Sequence, residues 1–216
     1  MFFSKSDKTV IYNAVRQFIY FCILFGFIFF MHYLSSIYRG NTFAEVYVVE
    51  DIQLGLLISS GLIFLLQLFL RPEYAPVLWL LASCSFLGAA RELDKVLDEL
   101  LPIISWRIGF IFPLIAFYMA WHYRNSLKKT LVRFFTSPSF YMMSCAMIII
   151  IPIAQCIGHR SFVINVLGVK RISDIKEMFE EACEAMGYLL IFLSSIECYF
   201  SLPKTVKIKL KYFKKK

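Results

Sequence analysis

At 216 residues, 59% of them hydrophobic, and with a mean hydropathy of +0.67, the chain is too apolar for an ordinary water-soluble domain and belongs to the integral membrane class. In lipid every backbone polar group must be satisfied inside helices or a closed barrel, and long unbroken apolar runs without alternation select helices. The net charge of +8 does not point to nucleic acid, because seven lysines lie in the last thirteen residues and most other bases fall between apolar runs, the pattern of membrane topology.

The first predicted span covers 18–36, densely aromatic, with His32 and Tyr33 toward its far end. Lys5, Lys8 and Arg16 precede it, and with no small-residue cleavage site it reads as a retained helix rather than a signal peptide. Glu50 and Asp51 open the second span, 52–70, where the positive end of the helix dipole favours carboxylates. Prolines 72 and 76 bound a tight reversal into the third span, 77–90, which is short unless it continues into the charged stretch 91–100. Cys84 with Gly88 and Ser85 with Ala89 place small residues four apart, which predicts a central helix packed closely on several neighbours.

Pro102 ends the charged stretch, and the fourth span begins near Ser105, with Trp106 as an interfacial anchor, Arg107 one residue inside and Trp121, His122 and Tyr123 at its other end. Pro113 is expected to kink it in mid-span. A basic loop, 124–136, leads to the fifth span, 140–157, and His159 and Arg160. After the loop to about 176, whose 162–169 stretch suits a short strand or an interfacial segment, Asp174 and Glu177 resemble a capping box for the last helix. That helix carries Glu180, Glu181 and Glu184 before its apolar run, interrupted by Glu197, and Pro203 ends it. The six cysteines lie within or beside apolar segments with no CxxC and read as small packing residues.

Six spans put both termini on one side, together with the 124–136 loop. Those segments hold most of the Lys and Arg, which makes that side cytoplasmic, with the four bases of the 160–176 loop as the weakest fit. Residues 1–203 thus form one six-helix domain and 204–216 a polybasic cytoplasmic tail. Topology then gathers Glu50, Asp51, Arg91, Glu92, Asp94, Arg107, His159, Glu180, Glu181 and Glu184 at the outer face. An unpaired charge inside the hydrocarbon costs about 2.5–3.5 kcal/mol, so pairing is expected, with Arg91 and Arg107 as the cations for Glu184, Glu181 and Glu50 or Asp51. The bland outcome is a salt-bridge network that closes the bundle and fixes helix register; the sharper ones are a polar cavity for an ion or small ligand and a catalytic metal site. No metal or cofactor is expected, since HExxH and comparable ligand spacings are absent. Glu197, near the cytoplasmic end of the last span, is expected to snorkel, to pair with a base such as Arg124 or His122, or to line a passage with Gln67 and Gln155, the pairing being favoured over conduction.

In the tail, Lys204, Lys207, Lys209, Lys211, Lys214, Lys215 and Lys216 suit anionic lipid heads, at about 1 kcal/mol per lysine near the surface, or docking on a cytosolic protein partner. Direct nucleic-acid contact is not expected, because nothing there reads bases.

The succession Glu50-Asp51, then Arg91-Glu92-Leu93-Asp94, then Glu180-Glu181 with Glu184 and Gly187, is similar to a pattern in small uncharacterised polytopic bacterial inner-membrane proteins. The likeness spans about two thirds of the chain and implies an inner-membrane location without supplying an activity. In size and basic tail the chain also resembles, in layout alone, the membrane subunit of bacterial anti-phage systems such as Kiwa. The expectation is a homo-oligomeric, non-enzymatic membrane sensor or anchor that engages a cytosolic partner. A small ion channel or transporter is the alternative, and an intramembrane metal-dependent enzyme the third reading.

Overall fold

A computed structural model describes residues 4–37, 47–100, 105–159 and 173–202. Among these there is no strand: the protein is an all-α polytopic membrane protein. The helices are α1 (Lys5–Ile37), α2 (Tyr47–Leu70), α3 (Ala75–Glu92), α4 (Asp94–Leu100), α5 (Ile111–His122), α6 (Arg124–Phe135), α7 (Pro138–Ile148), α8 (Gln155–Gly158) and α9 (Ser173–Ser201).

Five stretches are long and apolar enough to cross a bilayer: Asp7–Leu34, Val48–Leu70, Pro72–Glu92, Pro138–Ile157 and Met178–Ser201. The sixth, Arg107–His122, is shorter. It makes up length by running as a 3₁₀ helix over Ser105–Phe110 before α5. At about 2.0 Å per 3₁₀ residue and 1.5 Å per α residue, the two pieces together reach about 30 Å, the thickness of the hydrocarbon. Pro113 lies at the middle of this combined stretch, in the first turn of α5 just after the 3₁₀ piece.

The third span reaches full length because Pro72–Tyr74 forms a 3₁₀ turn directly before α3 and the helix continues through Arg91 to Glu92. Of its small residues Ser85, Ala89 and Ala90 are buried and Gly88 half-buried, whereas Cys84 is exposed. Phe86 presses on Gly61 of α2, Leu57 of α2 on Gly88, and Gly109 lies against Ala90. In the fifth span the chain widens into a π-helical stretch, Ile149–Ala154, around Pro152. The wider turn absorbs the ring and the missing N–H that would break an α-helix.

The basic segment after α5, expected as a loop, is the amphipathic helix α6. Thr130 and Phe134 are buried, and Leu127 and Leu131 half-buried, on one face, while Arg124, Lys128, Lys129 and Arg133 are exposed. Phe134 joins Phe64, Tyr74, Leu78, Cys198 and Leu202 in an apolar cluster at one end of the bundle. Midway, Leu57, Ala146, Ile150, Tyr188 and Ile191 form a second cluster, and Met31, Leu34, Val49 and Ala185 a third at the opposite end.

Burial ranks the helices. Within their apolar windows α9 is 67% buried and the α3 span 61%, against 11% for α1, so α9 and α3 are central and α1 peripheral. The predicted 162–169 strand or interfacial segment, the Asp174 and Glu177 side chains, and the 204–216 tail lie outside the described residues.

Candidate functional site

Two polar networks, one at each end of the bundle, meet on α9. At the end away from α6, Arg91 Nη2 donates to Glu184 Oε1 at 2.6 Å, while Arg91 Nε stands 4.0 Å from Glu92 Oε1. The Tyr188 hydroxyl donates to the same Glu92 oxygen at 2.6 Å. One helical turn back along α9, Gln53 Nε2 from α2 donates to Glu181 Oε2 at 2.9 Å and to the Glu181 carbonyl at 3.1 Å. Glu184 and Gln53 are buried, whereas 46% of the Arg91 side chain stays exposed. Three carboxylates, Glu92, Glu181 and Glu184, thus interact around one guanidinium.

Glu184, Tyr188 and Glu181 share a face because residues three and four apart on a helix do so. Arg91 and Glu92 reach them because α3 runs antiparallel to α9, bringing its last turn to the Glu184 level. Of the other expected members, Glu50, Asp94 and Glu180 are half-buried at this end, and Asp51, Arg107 and His159 are exposed. Among the described residues no ion pair is found for Arg107, expected as a second cation. It lies in the 3₁₀ turn on the flank of α3 and not over α9. Gln53, an amide from α2, is what holds Glu181.

At the other end Glu197, fully buried, receives two bonds from Arg16: Nε to Oε2 at 2.7 Å and Nη2 to Oε1 at 2.8 Å. Its partner is therefore neither Arg124 nor His122 but a cation from inside the first helix. Tyr20 packs beside the pair, and the Phe200 ring lies 5.1 Å from the Arg16 guanidinium carbon. Arg71, 3% exposed, donates to the carbonyls of Cys198, Tyr199 and Leu202. The Tyr199 carbonyl is one of the last of α9, the Cys198 carbonyl also accepts from Leu202 N–H at 3.3 Å, and a cation here meets the negative end of the dipole.

Between the ends, Gln67 donates to the Ser195 carbonyl at 2.9 Å, and Ser139 of α7 and Ser194 of α9 exchange reciprocal bonds to each other's carbonyls at 2.9 Å. Gln155 is exposed and apart from this seam. Ser139 and Ser194 thus bind α7 to α9 by hydrogen bonds. Sequence signals existed for some of the missed residues: Tyr188 follows Glu184 by one turn, and Gln53 follows Glu50 by nearly one. None existed for Arg16 or Arg71.

The contacts also order the topology. Arg16, the turn before α3, α6 and the C-terminus of α9 share one end, joined by Arg16–Glu197, Arg71–Leu202 and Arg133–Tyr74. Among the described residues no group of three or more His, Cys, Asp or Glu side chains is disposed to hold a metal ion.

Fold and networks together define a polytopic helical membrane protein whose polar groups bind helix to helix. No family model, no curated protein and no solved structure matches the chain.

Proposed function

We propose that the protein is a non-enzymatic sensor or anchor subunit of the bacterial inner membrane, with its basic end cytoplasmic and its 204–216 tail engaging a cytosolic protein, in anti-phage systems of the Kiwa kind. One observation carries the reading: charged groups at the outer end are paired with groups on neighbouring helices, half-exposed Arg91 with buried Glu184 and Tyr188 with half-buried Glu92. Paired charges in a desolvated setting hold a helix in one register and release it when a pairing is lost. The helix so held is α9, and the tail follows directly from it.

Affinity capture of the full chain and of a chain truncated after Pro203 tests the proposal. A cytosolic protein retained only by the full chain is expected; identical retained proteins from both would sink the idea.

A channel is the second reading, favoured by the buried carbonyl oxygens of Gln53 and Gln67, which have no hydrogen-bond donor among the described residues. Ion flux into liposomes that changes with Glu184→Gln or Glu197→Gln would support it over the first.

A further inference from the structure

A groove of about 300 Å³ runs between α3 and the α7 span, floored by Leu57 of α2 and Ile191 of α9. That is the low end of the size range of sites that enclose small ligands. Its walls are apolar, including Met143, Met147, Ile150 and Leu87, and the rim residues Cys84 and Met147 are exposed. All of these lie inside membrane-crossing stretches, so the groove opens sideways at bilayer depth. At its outer end stand Arg91 and Tyr188, the two residues that tie the groove to the charge network.

We propose that this groove holds one acyl chain of a membrane phospholipid, with the head group seated against the Arg91 cluster. The proposal rests on the sensor reading and names the ligand class for it. Charge decides which head fits. The half-exposed Arg91 guanidinium offers donors to a phosphate, but Glu92, Glu181 and Glu184 surround that single cation. The cluster therefore presents more carboxyl oxygens than one guanidinium engages, acceptors that suit an ammonium and not a purely anionic head. A zwitterionic amine-phosphate head, as in phosphatidylethanolamine, satisfies both: its phosphate meets Arg91 and its ammonium the remaining carboxyl oxygens. The flexible thioethers of Met143 and Met147 suit a wall that accommodates a mobile chain.

The test is photocrosslinking of the full chain, reconstituted in phosphatidylethanolamine/phosphatidylglycerol vesicles carrying a trace of phosphatidylethanolamine with a diazirine on one acyl chain, followed by peptide mapping. Adducts are expected to concentrate on Met143, Met147 and Leu87, and to exceed those on the lipid-exposed α1 residues Phe25 and Phe29. The same probe on a phosphatidylglycerol head is expected to label the groove several-fold less. Cys84→Phe, which fills the rim without touching an ion pair, is expected to abolish the groove adducts while thermal unfolding stays unchanged. Arg91→Gln is expected to lower them about tenfold, the loss of a charge-assisted hydrogen bond. Since that variant also strands Glu184, Cys84→Phe is the deciding one.

Labelling spread evenly over the lipid-exposed helices, or groove labelling unaffected by Cys84→Phe, would each overturn the proposal. Capture of a cytosolic protein through the tail is measured separately. A labelled groove with a tail that retains nothing therefore refutes the sensor reading alone, and an unlabelled groove with a productive tail refutes the lipid site alone.

Discussion

Replacing Arg16 by methionine keeps most of its aliphatic stem but removes the guanidinium that holds Glu197 by two bonds of 2.7 and 2.8 Å. Glu197 is fully buried, so the carboxylate left behind has no route to water without moving α1 or α9. Breaking a buried pair by removing one partner costs about 3–5 kcal/mol in soluble proteins. In membranes the reference state also finds polar partners, and interhelical bonds average only about 0.6 kcal/mol there. Glu197 lies in the second turn from the end of α9, where an unpacked helix would let it snorkel, which lowers the cost of the unfolded side and so raises the net loss. The expected destabilisation is about 2–4 kcal/mol for Arg16→Met. The double variant Arg16→Met with Glu197→Met should return to within about 1 kcal/mol of wild type, because replacing both members by apolar groups removes the desolvation cost along with the attraction. Equilibrium unfolding in mixed micelles with increasing SDS, read by near-UV ellipticity, gives the four corners of the cycle. A single variant that loses less than about 1 kcal/mol, or a double variant whose loss equals the sum of the singles, refutes the argument that the pair is desolvated and coupled.

Three further outcomes follow from the same geometry. Arg71→Leu leaves the last carbonyls of α9 without their side-chain donor and should cost about 1–3 kcal/mol, visible as faster hydrogen exchange near 198–202 with the outer end unaffected. Gly187→Leu should destabilise by about 1–3 kcal/mol or more, since even a Cβ at Gly187 overlaps the Ile150 side chain; a thermal midpoint equal to wild type would show that the π-helical stretch yields freely. Lys128→Glu with Lys129→Glu reverses two exposed charges on α6, and with about 1 kcal/mol per base at an anionic surface the helix should lose exchange protection in phosphatidylglycerol-rich nanodiscs but not in phosphatidylcholine ones.

The apolar spans were legible because hydropathy is a local property summed along the chain, and the central place of α3 was legible because small residues four apart have one physical use in lipid. The amphipathic helix α6 was hidden by its four bases, which look like a cytoplasmic loop, although Leu127, Leu131 and Phe134 already trace one helical face. Of the outer network the Arg91–Glu184 pairing was legible, whereas the parts played by Gln53 and Tyr188 were not, and Asp51, Arg107 and His159 stand exposed. Arg91 finds Glu184 through topology, while Arg107 sits in a 3₁₀ turn whose presence no residue announces. Arg16 lies 181 residues from Glu197, and nothing local distinguishes it from the topogenic bases around it.

The pairings converge on a single element. Arg16 of α1, Gln53 and Gln67 of α2, Arg71 after α2, Arg91 and Glu92 of α3, and Ser139 of α7 all bond to α9. The Arg133–Tyr74 bond and the Phe86–Phe112 ring contact link helical segments without it. Gln53 and Gln67 reach α9 at the same sequence offset of 128, so α2 and α9 run parallel without slipping between those two bonds. A helix of 29 residues spans about 43 Å, and about 20 Å of it separates Glu184 from Glu197. A stiff rod tied at both depths cannot rotate or slide at one end alone: loosening Arg91 from Glu184 relaxes the restraint on register at the outer end, and what resists movement then is the Arg16 and Arg71 pair of anchors below. The outer and inner networks are therefore expected to couple through α9. A cycle combining Arg91→Gln with Arg16→Met should show an interaction energy of at least about 0.5 kcal/mol despite the distance, whereas strict additivity would mean that α9 flexes between its ties and carries no signal along its length.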